Sequence, residues 1–235
     1  MINTFWSIIP NLQIIEIACH AGYDSIIFDR EHGTFSFTEL NQAVALTQSL
    51  GLRALVRPCD KSQSEILSCL ETGVDGLMIP HVTSKEEVED LMSSAFYPPL
   101  GSRGASGFTR ATEYGNKDFA SHMVDSNEKL FFGILIESAK GIKALDDILK
   151  EGHRVDCVYY GTYDIAISVG ENSQRSEIVR EMVNRSIESI KEKVEYLGQV
   201  STSKYQRQEL NSNINFIAHG VDCGIILNGF KNNLQ

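Results

Sequence analysis

The sequence predicts an α/β protein of the (β/α)8 TIM-barrel class, forming a single domain over residues 1–235. Short apolar runs alternate with longer amphipathic segments, which is the pattern of βαβ units. About eight such repeats fit a chain of 235 residues, and a closed barrel of this kind takes about 250. No shift in composition marks a domain boundary, and 42% hydrophobic residues suffice for one sizeable core.

The elements follow in order. Apolar runs occupy residues 4–9, 25–29 (SIIFD), 54–57 (ALVR), 76–79 (GLMI), 131–137 (FFGILIE) and 157–161 (CVYYG), with weaker ones near 198–201 and 224–228. Each is brief and many are bounded by Gly or Pro, as buried parallel strands are. Between them, residues 37–49 have helical spacing behind Ser36, a good cap. Residues 62–71 run toward Gly73, a helix-ending residue, and residues 84–94 open with the S-x-x-E of a capping box. Residues 138–150 and 176–196 are long and amphipathic. The longest interruption, residues 97–126, is rich in Gly and Arg and reads as a lid or site loop with one inserted helix.

Composition excludes several classes of function. The net charge of -10, from 31 acidic and 21 basic side chains, leaves no basic face for nucleic acid. An anionic substrate then requires a local cation or metal. The five cysteines are odd in number, widely spaced and without a C-x-x-C pair, which points to reduced thiols in a cytoplasmic protein. Residues 1–10 lack the basic start of a signal peptide, and no apolar stretch is long enough to cross a bilayer.

In a barrel, chemistry sits at the carboxyl ends of the strands. Asp29 ends one run, Arg57 the next and Glu137 a third, while Asp164 closely follows CVYYG. A lone Asp at a strand end is more often a helix cap. Several charged ends on one rim beside an apolar core are more telling, because buried charge needs a partner or a metal. Glu137 and Asp164 make an all-oxygen pair suited to Mg²⁺ or Mn²⁺. By spacing alone that pair is a weak signal. Arg57 offers a planar fork to a carboxylate or oxyanion, or forms a structural salt bridge. His32, beside Asp29 and Glu31, is the acid–base candidate, with an exposed loop histidine as the plain alternative. His81 follows another strand end, and the remaining histidines read as structural or surface groups. The glycine-rich residues 101–107 lack the Lys-Ser/Thr of a phosphate loop, and no G-x-S-x-G occurs.

Asp29-Arg-Glu-His32, Arg57-Pro58, Tyr97-Pro-Pro-Leu-Gly-Ser-Arg-Gly104, Arg110-Ala111, Ile136-Glu137 and Gly161-Thr-Tyr-Asp164 stand in one order at compatible spacings. Together they resemble the HpcH/HpaI aldolases, metal-dependent pyruvate aldolases, over nearly the whole chain. The resemblance implies a carbon–carbon lyase that reversibly cleaves a 4-hydroxy-2-oxo acid to pyruvate and an aldehyde through a metal-stabilised enolate. It implies Glu137 and Asp164 as ligands of a divalent cation, Mg²⁺ or Mn²⁺. It implies Arg57, His32 and Asp29 as the catalytic group, with Asp29 the partner of His32, and Arg57, Thr162, Tyr163 and Glu71 at the substrate. Glu71 matches an Asp that reaches a neighbouring subunit's site, so a homo-oligomer is expected, with no nucleic-acid or membrane partner. Two alternatives share the scaffold: a citrate-synthase-like or thioester-type condensing lyase, and a truncated, catalytically weak barrel serving as a binding component. The chain departs from the pattern at Leu135, where many relatives have Gln, at the bulky Tyr163, and at Glu71, one methylene longer than Asp; against the family the barrel is also expected to be shortened at both termini. An acidic aldehyde would want a second cation, for which Arg103 and Arg110 in the long loop are the candidates.

Overall fold

The structure, a computed structural model, describes residues 1–150, 153–202 and 204–234. Eight parallel strands close into a barrel in chain order: β1 (Ile2–Ser7), β2 (Ser25–Asp29), β3 (Arg53–Arg57), β4 (Gly76–Ile79), β5 (Phe131–Ile136), β6 (Cys157–Tyr160), β7 (Tyr196–Val200) and β8 (Phe216–Val221). Helices α1 (Leu12–Ala21), α2 (Phe37–Ser49), α3 (Gln63–Glu71) and α4 (Lys85–Ala95) follow the first four strands. A 3-10 turn (Arg110–Gly115) and α5 (Phe119–Lys129) lie in the long segment before β5. Then come α6 (Ala139–Ile148), α7 (Thr162–Ser168), α8 (Glu177–Ile190), α9 (Lys204–Glu209) and α10 (Asp222–Asn232). The fold is the expected TIM barrel.

Helix starts are local chemistry. Ser36, Ser62, Ser84, Ser138 and Ser176 each accept a backbone N–H of the first turn, and Ser36 and Glu39 close a full capping box. Helix α1 was not distinguished in the sequence. Asn11 caps it and Gly22, at φ 85°, ends it.

Two expected boundaries are corrected. Residues 224–228, read as a strand, belong to helix α10, and the last strand is Phe216–Val221. A short Gly-bounded apolar run fits strand or helix equally by periodicity. Register decides it, because Phe216 pairs with both Ile2 and Gly198 to close the barrel. Asp222 then fixes the corner, accepting from the Ser7 hydroxyl and from the amides of Ile8 and Ile9 at 3.0 Å each. The second correction is residues 176–196, read as one helix. Helix α8 stops at Ile190, and Tyr196 already pairs with Cys157 in the sheet.

Alternation along each strand sorts the side chains into two layers. One set, including Phe28, Val56, Ile134 and Val158, packs outward against the helices. The other, including Trp6, Ile27, Leu55, Met78, Leu135, Tyr159 and Phe216, fills the lumen. Gly198 makes room for this filling, since a Cβ there would lie 2.4 Å from the Tyr159 ring. Counting on by two from Ile27, Leu55 and Leu135 reaches Asp29, Arg57 and Glu137. The lumen-facing stripe of three strands therefore ends in three charges at the carboxyl rim.

Candidate active site at the carboxyl rim

Asp29 and Arg57 are paired neighbours in the β2–β3 register, and both side chains are buried. Arg57 donates from Nε to Asp29 Oδ1 at 2.9 Å and from Nη2 to Oδ2 at 2.6 Å, a bidentate fork. Its third nitrogen, Nη1, lies 3.0 Å from Glu31 Oε2 and 3.8 Å from Glu137 Oε1. The guanidinium stacks 4.6 Å from the Trp6 ring, and Trp6 Nε1 donates to the Tyr159 hydroxyl at 3.1 Å. A cation between carboxylates and an aromatic face is held in one orientation.

Glu137, the first residue after β5, is 5% exposed. Burial pushes its carboxyl above the usual carboxylate range; the amide and charge of His81 and the charge of Arg57 oppose the shift, and the Asp164 carboxylate adds to it. The His81 amide donates to Oε2 at 2.8 Å, and His81 Nδ1 lies 3.0 Å from the same oxygen. Asp164 is carried by the first turn of α7, directly after Gly161. A Cβ at Gly161 would lie 2.7 Å from Glu137 Cγ and 3.0 Å from Oε1. The Gly161 backbone (φ −82°, ψ 80°) needs no glycine for its own sake, so contact with Glu137 is the obstacle to a side chain. Gly161→Ala is therefore expected to fold but to displace Glu137, weakening Mn²⁺ binding about tenfold or more in a calorimetric titration. Unchanged affinity would mean the carboxylate moves aside without loss.

A cleft of about 410 Å³ opens over these groups, lined by Trp6, Arg57, Leu135, Glu137, Tyr159 and Asp164 among others. His32 lines it too, at the exposed mouth. Asp29 does not meet the His32 ring as expected. Its Oδ1 takes the amides of Glu31 and His32 at 3.0 and 3.2 Å, and the Arg57 fork engages both its oxygens. Thr162 and Tyr163 line the cleft, but the Thr162 hydroxyl is turned to Gln174 Oε1 at 2.8 Å. Tyr163 is 57% exposed.

The structure does not bring the other expected residues to this cleft. Glu71 ends helix α3, which runs from the carboxyl rim back to the start of β4, so it lies at the opposite end of the barrel. Arg110 donates to the Thr72 carbonyl and to Gln48 Oε1 at 2.7 Å each, at the same far end. Arg103 is buried over the Tyr97 ring at 4.6 Å and donates to the Ser126 hydroxyl at 3.2 Å. Within one chain neither arginine reaches the cleft, because the long segment runs down the outside of the barrel. Other residues take part instead: Trp6 and Tyr159 line the cleft, and Glu31, in sequence only a neighbour of His32, is ion-paired to Arg57 and His81.

Among the described residues, no three His, Cys, Asp or Glu side chains converge into a complete metal site. Two carboxylates, close enough for Asp164 to raise the Glu137 carboxyl, suit a hard cation that completes its shell with water and substrate oxygens. The donor set therefore fits Mg²⁺ or Mn²⁺, and does not fit zinc.

The comparisons with known proteins agree with this picture. The family profile described as HpcH/HpaI aldolase/citrate lyase matches residues 3–229. The chain is 28% identical over 221 residues to a 2-keto-3-deoxy-L-rhamnonate aldolase of Klebsiella pneumoniae, covering 92% of this chain and 81% of the relative. It is 29% identical over 233 residues to the enzyme of that name from Salmonella paratyphi A, covering 97% and 86%. Among solved structures, an HpcH/HpaI aldolase/citrate lyase family protein from Burkholderia cenocepacia superimposes with a TM-score of 0.91 at 22% identity, over 100% of this chain and 93% of that one. The citrate synthase SbnG superimposes with a TM-score of 0.87 at 22% identity, over 99% and 91%. These two likenesses show a shared barrel. The profile match over nearly the full length decides the family: the chain belongs to the HpcH/HpaI aldolase/citrate lyase family.

Proposed function

We propose that the protein cleaves a 4-hydroxy-2-oxo acid reversibly to pyruvate and an aldehyde, with Glu137 and Asp164 holding a divalent cation, Mg²⁺ or Mn²⁺. The observation that supports this most is the meeting of Arg57, Glu137 and Asp164 in one cleft over an otherwise apolar floor. The cation, when bound, supplies a Lewis acid for oxygens of the 2-oxo acid.

The chain's own residues account for the rest. Cleavage breaks the C3–C4 bond, and the bonding pair becomes an enolate with its charge on the C2 oxygen. Asp29 holds the Arg57 fork from behind, and Nη1, 3.0 Å from Glu31 and 3.8 Å from Glu137, would stabilise that charge with its second N–H. The C4 hydroxyl must lose its proton as it becomes the aldehyde. The His32 ring, on the cleft wall at the mouth, takes that proton. The proton taken up by His32 is returned, directly or through solvent, at C3 to give pyruvate, so the base is regenerated. Thr162 and Tyr163 line the cleft beside Asp164, where they would contact the substrate. Glu71 can serve only the site of a second copy, so its role requires a homo-oligomer.

The cleft also speaks to the aldehyde. Of the basic side chains only Arg57 and His32 line it among the described residues, with Ile8, Val200 and Val221 beside them. A neutral aldehyde fits that wall better than an acidic one, and 2-keto-3-deoxy-L-rhamnonate would release a neutral hydroxyaldehyde. The test is pyruvate release, with Mn²⁺ or Mg²⁺, from 2-keto-3-deoxy-L-rhamnonate and from 4-hydroxy-2-oxoheptanedioate. Faster release from the first is expected. No pyruvate from either acid, or product only with a thioester present, would overturn the proposal.

A further inference from the structure

We propose that His81 is the positioning residue of the Glu137 carboxylate: its amide and ring hold Oε2, so that Oε1 is the oxygen left for a cation. The inference rests on the reading of Glu137 as a metal ligand given above.

His81 follows β4 after Pro80 and has φ 52°. Left-handed backbone is uncommon outside glycine. Such residues persist where their surroundings over-determine them, often at functional sites. The surroundings here are specific. The amide donates to Glu137 Oε2 at 2.8 Å, and Nδ1 of the same residue lies 3.0 Å from the same oxygen. The other ring nitrogen, Nε2, lies 2.9 Å from Glu31 Oε1. The second oxygen of Glu31 meets Arg57 Nη1 at 3.0 Å. His81 therefore sits in a circuit of ion pairs, Glu137 to His81 to Glu31 to Arg57, whose last side, Arg57 to Glu137, is a 3.8 Å charge contact.

The circuit distinguishes the two oxygens of Glu137. Oε2 carries both His81 contacts. Oε1 is 3.8 Å from Arg57, too far for a hydrogen bond, and stands against Gly161, where a Cβ would come within 3.0 Å of it. Gly161 opens the turn that carries Asp164. Oε1 thus stands on the side of the turn that carries the second carboxylate. The loop is fastened from behind, since the Val82 amide donates to the Leu135 carbonyl at 3.2 Å, two residues before Glu137. The His81 side chain itself is 51% exposed, so its ring contributes little to the core.

The experiment titrates the metal-free full-length protein with Mn²⁺ and reads free Mn²⁺ by electron paramagnetic resonance. It compares the wild type with His81→Gly, His81→Asn and Glu137→Gln. His81→Gly keeps the left-handed backbone and the amide but removes the ring. His81→Asn tolerates the same backbone and keeps a short polar side chain. Partners that orient a metal ligand usually matter about tenfold or more in affinity. The expected result is that loss in His81→Gly, a smaller one in His81→Asn, and cooperative melting of both metal-free variants. Wild-type affinity, within about twofold, in both His81 variants while Glu137→Gln fails to bind would overturn the positioning role alone. Equal Mn²⁺ binding by wild type and Glu137→Gln would overturn the ligand reading and this inference with it.

Discussion

Arg57→Ala is expected to lower kcat/KM for pyruvate release by about a hundredfold or more and to destabilise the fold by about 3–5 kcal/mol. Both effects come from one geometry. Asp29 and Glu31 each meet the guanidinium at 3.0 Å or less, and Glu137 lies 3.8 Å away. Deleting the cation leaves a set of largely buried carboxylates to repel one another, with Asp29 only 2% exposed. Arg57→Lys separates the two effects. An ammonium restores the charge but not the fork, and it cannot span Asp29 and Glu31 while presenting a donor to the cleft. Lys should recover most of the stability in a urea titration and little of the rate. Equal loss of both in the two variants would mean that Arg57 is only a structural salt bridge.

Glu137→Gln is expected to abolish Mn²⁺ binding and reduce activity by about a thousandfold, while the metal-free variant melts at a higher temperature than the metal-free wild type. The sign of the stability change follows from the raised pKa of this carboxyl. A group whose folded pKa lies above its unfolded value favours folding when protonated, and that contribution is lost as pH rises through the folded pKa. At neutral pH the wild type carries the cost of a charged, desolvated Glu137, and Gln does not. The melting-temperature gap should therefore narrow as pH falls from neutrality through the raised pKa toward the ordinary carboxylate range. A lower melting temperature for Gln at neutral pH would show that the contacts to His81 and Arg57 outweigh desolvation.

The barrel was legible because its strands are short apolar runs whose even-numbered steps end in charge. Ile27 leads to Asp29, Leu55 to Arg57 and Leu135 to Glu137. That stripe is a property of the sequence, and it places the rim. What could not be read were features set by long-range closure. The run at 224–228 has strand-like composition, yet closure against Ile2 places β8 eight residues earlier, starting at Phe216. Likewise Arg103 and Arg110 sit in a glycine-rich loop that reads as a lid. Nothing local to them says that Thr72, Gln48 and Ser126 hold them away from the cleft. His81 shows a third limit: the sequence put it at a strand end, but only the backbone reveals the turn that brings its amide and ring to one oxygen of Glu137. Asp29 was noticed for the right place and the wrong neighbour, since the β2–β3 register sets it beside Arg57 rather than the His32 ring.

The most direct measurement is exchange of the pyruvate methyl protons in D₂O, followed by NMR with and without Mn²⁺ or Mg²⁺. It isolates the enolate step and needs no aldehyde. Metal-dependent exchange that disappears in Glu137→Gln and falls steeply in Arg57→Lys is the expected result. Absence of exchange with either cation, or exchange that survives loss of Glu137, would contradict the enolate chemistry assigned to this rim.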